Sequence, residues 1–143
     1  MKPRSLNIPV SAVCEQGEGD TLVSRPVQAC WRYDITDPYA LTLDVDSGPG
    51  TLAVRWTFAR DLLADGLLRG EGEGDVYVAP DSESDARVWI VLTSPSGAAR
   101  LAFSRSVLER VLDLSDQLVP LGSESERIDW GRELALLALG GEA

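Results

Sequence analysis

The chain has 143 residues, the size of one domain, and 44% apolar with 25% charged residues is a globular balance that excludes disorder over most of its length. Thirteen basic residues against 23 acidic ones leave a net charge of −10, a poor match to nucleic-acid phosphates or an anionic membrane surface. There is no histidine, which excludes Ser-His-Asp and Cys-His catalysis, histidine-held zinc and a histidine pH switch.

No run approaches the roughly 18 apolar residues that cross a bilayer. Met1 to Val10 has no continuous apolar stretch after its basic residues, so no signal peptide is expected. Asn7 to Cys14 reads as a strand and Glu15 to Asp20 as a glycine-rich acidic loop. Val27 to Tyr33 is the next strand, broken by Asp37-Pro38. Leu41, Leu43 and Val45 alternate through Ala40 to Asp46, and Leu52, Val54, Trp56 and Phe58 alternate after them. Ser47-Gly48-Pro49-Gly50 between the two predicts a hairpin.

The period then changes. Leu62, Leu63 and Leu67 predict a short helix over Ala59 to Leu68, stopped by Gly66 or Gly70. Strands are expected over Asp75 to Ala79, Arg87 to Thr93 and Ala99 to Phe103, with a turn at Ser94-Pro95-Ser96-Gly97. Ser104 is placed to cap a helix carrying Val107, Leu108, Val111, Leu112, Leu114 and Leu118. Pro120-Leu121-Gly122 ends it, and Asp129 caps a second helix with Leu134, Leu137 and Ala138. Strands first and helices last predict an α+β fold with helices on a mainly antiparallel sheet.

Glu71 to Asp85 holds six acids and no base. Asp81, Glu83 and Asp85 have the early spacing of a calcium loop, but Ala86 replaces its glycine and Leu92 its closing glutamate. A solvated acidic loop is the better reading. Gly70-Glu71-Gly72-Glu73-Gly74 follows a helix and precedes a strand, the reverse of dinucleotide-binding order, and reads as a flexible turn. No Gly-x-Ser-x-Gly elbow occurs. No catalytic residue, metal or cofactor is therefore assigned. Cys14 and Cys30 read as buried reduced thiols, with a disulfide between neighbouring strands as the alternative. Trp31, Tyr33, Tyr39, Trp56, Phe58 and Trp89 suit either the core or base stacking, and the acidity favours the core.

One ordered set of blocks is distinctive. Trp31-Arg32-Tyr33-Asp34-x-x-Asp37-Pro38-Tyr39-Ala40 precedes Trp56-x-Phe58-Ala59-Arg60-Asp61-Leu62-Leu63-x-x-Gly66-Leu67. Gly72-x-Gly74-Asp75-Val76-x-Val78-x-Pro80, Leu92-x-Ser94-Pro95-x-Gly97 and Val119-Pro120-x-Gly122-x-Glu124 follow. Together they resemble the SsgA-like family of actinomycete sporulation and cell-division proteins, from about Val27 to Leu137. The chain departs from the family pattern at Leu6 to Val13, at Gly131 in place of a frequent aspartate, and in lacking histidines after the glutamate.

The resemblance implies a single domain over residues 1–143 with a curved antiparallel sheet and a C-terminal helical bundle. It also implies similarity to the Whirly-type single-strand nucleic-acid-binding fold, and a homotrimer. It implies a non-catalytic cytoplasmic adaptor at division septa. The implied partners are the tubulin-like division GTPase FtsZ, septal wall-assembly proteins or other SsgA-like proteins. The alternative is a Whirly-like single-stranded nucleic-acid binder, which the acidity disfavours. Arg60 and Asp61, charged and on a short helix beside a strand end, read as the better surface candidates, with a structural role weighed against contact with a septal partner. Tyr33, Asp34, Asp37 and Tyr39 complete the candidate surface.

Overall fold

The computed structural model describes residues 3–17, 19–46, 48, 53–95 and 97–127. Eight strands run in chain order: β1 (Ser5–Gln16), β2 (Val23–Asp34), β3 (Ala40–Asp46), β4 (Val54–Ala59), β5 (Glu71–Glu73), β6 (Val76–Pro80), β7 (Arg87–Ser94) and β8 (Gly97–Ser104). Helix α1 (Arg60–Arg69) lies between β4 and β5, and α2 (Arg105–Leu118) follows β8. The strands form one sheet in the order β4-β3-β2-β1-β8-β7-β6-β5. Every neighbouring pair is antiparallel.

Alternation decides which side of the sheet is the core. Trp31, Tyr33, Leu41, Leu43, Phe58, Val78, Ile90, Leu101 and Phe103 are buried on one face. The other face carries the polar partners of each strand, such as Arg32, Asp44 and Arg55. The sheet is strongly curled. The Trp31 indole of β2 stands edge-on to Phe58 of β4, with centroids 5.8 Å apart, and also meets Phe103 of β8 at 5.6 Å. In a flat sheet β4 and β8 would lie about 19 Å apart, four strand spacings. One indole reaches both only because the sheet wraps around it. Helix α1 spans about 15 Å between the two edge strands that it joins.

Curling brings α1 hard against β6, and a glycine makes room. A Cβ at Gly66 would stand 2.5 Å from Cβ and Cγ1 of Val78. Gly66 is thus a packing residue inside α1, while Gly70, with φ +72°, occupies the C-cap. Leu108, Val111 and Leu112 of α2 close the core from the helical side.

Several expectations need correction. The glycine-rich segment after α1 is a strand rather than a flexible turn: Glu71 to Glu73 pair with Val76 to Val78 around Gly74, whose φ is +59°. Short β5 was missed because three residues with two glutamates carry no hydrophobic period. Ser104 does take the N-cap position, but its hydroxyl meets Ser106 rather than the helix backbone. The helix expected from Asp129 lies outside the described residues. Cys14 faces inward opposite Arg25, whereas Cys30 faces outward opposite Pro9. The two thiols are free and on opposite faces, so the disulfide alternative fails.

Candidate functional site

The site grows from the junction of β2, β3 and α1. After β2 the chain turns at once: the Asp37 N–H donates to the Asp34 carbonyl at 3.0 Å. The Asp34 carboxylate accepts from the Thr36 N–H at 2.9 Å and the Thr36 hydroxyl at 2.8 Å. These bonds favour the charged form and lower the Asp34 carboxyl below its usual range. Beneath the turn the buried Tyr33 hydroxyl donates to the Pro38 carbonyl at 2.8 Å. At its far end the Arg60 N–H donates to the Tyr39 carbonyl at 2.6 Å, tying the turn to the start of α1.

Arg60 itself is wholly buried, at 0% exposure. This corrects the expectation that it presents a surface charge. Its Nη1 donates to the Val119 carbonyl at 2.8 Å and the Ser115 hydroxyl at 3.3 Å, while Nη2 meets Glu124 Oε1 at 2.6 Å. Its guanidinium carbon lies 4.9 Å from the Tyr33 ring centroid. The other Glu124 oxygen accepts the Gly122 N–H at 3.0 Å. Burial alone would raise the Glu124 carboxyl, but Arg60 and the backbone N–H groups outweigh it and hold the pKa below normal.

The candidates therefore divide in two. Arg60 and Tyr33 are internal anchors and cannot touch a partner directly. Asp34, Asp37, Tyr39 and Asp61 are exposed around one corner, with Tyr39 at 44%. Asp61 lies in the first turn of α1, where a negative charge suits the helix dipole. The partners of Arg60 were missed. Glu124 stood in a sequence block, but no local pattern joins residues 64 positions apart.

The remaining chemical readings resolve differently. Asp81, the first acid of the calcium-like spacing, accepts from Trp89 Nε1 at 2.9 Å and Arg87 Nη2 at 3.1 Å, pinning the β6–β7 loop. Trp31, Tyr33 and Phe58 are core residues and offer no face to a base. No cluster of three potential metal ligands occurs among the described residues. No helix among them is long and apolar enough to cross a membrane.

Residues 27–124 match the family model for the Streptomyces sporulation and cell division protein SsgA. The chain belongs to the SsgA family. A curated relative, the sporulation-specific cell division protein SsgB of Frankia casuarinae, is 46% identical over 117 residues, 81% of each chain. SsgB of Streptomyces coelicolor is 44% identical over 113 residues, 78% of this chain and 82% of that one. A crystal structure of an SsgA-like sporulation-specific cell division protein from Thermobifida fusca superposes with a TM-score of 0.76 at 34% identity. That match covers 94% of this chain and 98% of the other. A structure described with SsgB mutations that correlate to longitudinal cell division during Streptomyces coelicolor sporulation gives a TM-score of 0.74 at 36% identity. It covers 90% of this chain and 100% of the other. Three of the five blocks that suggested the SsgA family build the corner: the Asp34–Tyr39 turn, the start of α1, and Glu124.

Proposed function

We propose that this SsgA-family protein is a non-catalytic adaptor of sporulation-specific cell division. In this reading it acts in the cytoplasm at division septa and helps select the septum site. It does so by recruiting FtsZ, septal wall-assembly proteins or sibling SsgA-like proteins. Its working form is a homo-oligomer, a trimer by family resemblance, on which copies of one surface are repeated.

The observation that carries the proposal is the carboxylate corner. Asp34, Asp37 and Asp61, with Tyr39, are exposed on a frame fixed from inside by Tyr33 and Arg60. A rigid frame lowers the ordering cost of binding, and clustered carboxylates select a basic partner surface.

The test replaces Asp34, Asp37 and Asp61 together by asparagine in a sporulating actinomycete that lacks the native copy. The folded variant is expected to lose capture of septal proteins and to form irregular septa. Normal septation with unchanged capture would reject the corner as the contact surface. Recovery from wild-type lysate of nucleic acid alone, lost at higher salt, would instead favour the single-strand-binding alternative.

A further inference from the structure

The two edges of the sheet are built differently. β5 is three residues long and carries Glu71 and Glu73, and short charged edges resist strand addition. β4 has six residues, an unbroken register with β3, and neither proline nor lysine. Its one charge, Arg55, is held by Asp44 at 2.7 Å on the outer face. Helix α1 has ten residues and sets the two edges about 15 Å apart where it joins them, about three strand spacings, so they do not pair with each other. Antiparallel partners alternate between pairs that exchange main-chain hydrogen bonds and pairs that do not. The Arg60 N–H donates to the Tyr39 carbonyl at 2.6 Å, which sets the phase between β3 and β4. Counting back along the register, Phe58, Trp56 and Val54 bond to β3, whereas Thr57 and Arg55 turn their N–H and C=O groups away from it. Side chains stand closer across the second kind of pair, and there the Thr57 and Thr42 hydroxyls meet at 3.3 Å. Among the described residues no other strand reaches those four main-chain groups.

From this we infer that the free edge of β4 binds an extended segment of a partner protein by strand addition. The inference rests on the adaptor reading above and gives the conformation and chemistry of the bound partner. The added strand exchanges main-chain hydrogen bonds with the N–H and C=O groups of Arg55 and Thr57. Its side chains opposite Val54, Trp56 and Phe58 share their apolar face, so its sequence alternates apolar with polar residues. Charge sets its direction. At the Ala59 end of β4 stand Asp37 and Asp61, both exposed and in no ion pair among the described residues. A strand antiparallel to β4 has its N-terminal end there, so that end of the segment is basic. A second copy of β4 fits less well. Two chains of charge −10 repel each other, and Gly50 to Ala53, which precede β4, supply no base to meet the carboxylates.

The test is NMR of the intact protein with the end-blocked peptide Lys-Arg-Val-Thr-Val-Thr-Val. Binding at one site per chain should slow amide exchange at Arg55 and Thr57, while Trp56 and Phe58 stay protected throughout. N-methylation of both peptide threonines, whose N–H groups face β4, should weaken binding at least about tenfold. N-methylation of the valine between them, whose N–H points away, should leave it nearly unchanged. Glu-Glu in place of Lys-Arg should also weaken binding, and Asp37→Asn with Asp61→Asn should erase that difference. No binding at millimolar peptide would overturn the inference, as would equal loss from either methylation. Arg55 and Thr57 amides already protected in the free protein would overturn it by showing the edge covered. Protection that grows with protein concentration would assign the edge to a second copy instead. The methylation series uses the wild-type protein, so it stands even if a variant fails to fold. None of these outcomes touches the adaptor reading, which the triple aspartate variant tests separately in the cell.

Discussion

Arg60 Nη2 and Glu124 Oε1 lie 2.6 Å apart in the protein interior, and they join the first residue of α1 to the segment after α2. Desolvating two charges is costly, and the attraction offsets that cost only when geometry and further hydrogen bonds are good. Here Ser115, Val119 and Gly122 supply those bonds. Breaking one side of the pair leaves a buried charge alone. Glu124→Leu is expected to destabilise the fold by about 3–5 kcal/mol. The double variant Arg60→Met with Glu124→Leu should recover much of that loss. Urea unfolding of the two single variants and the double one checks the coupling. Additive losses would show that the two side chains act independently.

Acid should weaken the protein through the same carboxylate. The folded Glu124 carboxyl is held below its ordinary value, so the unfolded chain takes up its proton first as pH falls. The contribution is fully present above the unfolded value, about 4.3, and is lost as pH falls through the folded one. Asp44 behaves alike. It bridges Arg55 at 2.7 Å and Arg32 at 2.6 Å across the outer face of β2, β3 and β4, and its pKa is lowered to about 2. Melting temperature should therefore drop between about pH 4 and pH 2. Glu124→Gln and Asp44→Asn should each flatten that drop while lowering stability at pH 7. Asp44→Asn, on a mostly solvated network, should lose only about 1 kcal/mol. A variant whose pH profile matches wild type would remove that carboxylate from the account.

Gly66 sets two effects against each other. Alanine gains up to about 1 kcal/mol of helix propensity over glycine. Its Cβ, however, must enter space already held by Val78 at 2.5 Å, and overpacking costs about 1–3 kcal/mol. The clash should win, so Gly66→Ala is expected to lower the melting temperature. Pairing it with Val78→Ala should relieve part of the clash. A gain in stability from Gly66→Ala alone would mean that α1 moves away from β6 at little cost.

Arg105 fastens the other end of α1. Its Nη1 donates to the Leu67 carbonyl at 3.0 Å and its Nε to the Asp85 carbonyl at 2.6 Å. Arg105→Ala should cost about 1–2 kcal/mol. Amide exchange should rise in the last turn of α1 and in the 81–86 loop, with the β1–β2 pair unchanged. Uniform exchange across the sheet would argue for a global loss instead.

Local patterns determined much of this protein. Leu41, Leu43 and Val45 alternate because one face of β3 is buried, and that period survives in the linear order. The helical spacing of Leu62, Leu63 and Leu67 predicted α1 within a residue of its observed start, and the family blocks led to the SsgA family. Tertiary structure decided whatever depends on residues far apart in sequence. Arg60 read as a surface charge because an arginine beside a strand end is ordinarily solvated. Only the return of the chain through Ser115, Val119 and Glu124 supplies the partners of its two terminal nitrogens. Gly66 and Gly70 both read as possible helix stops; Gly70 takes that place, while the reason for Gly66, the proximity of Val78, comes from the curl of the sheet. Sequence periodicity records which side of an element is buried; it does not record what that side meets, because long-range contacts are set by how the sheet curls.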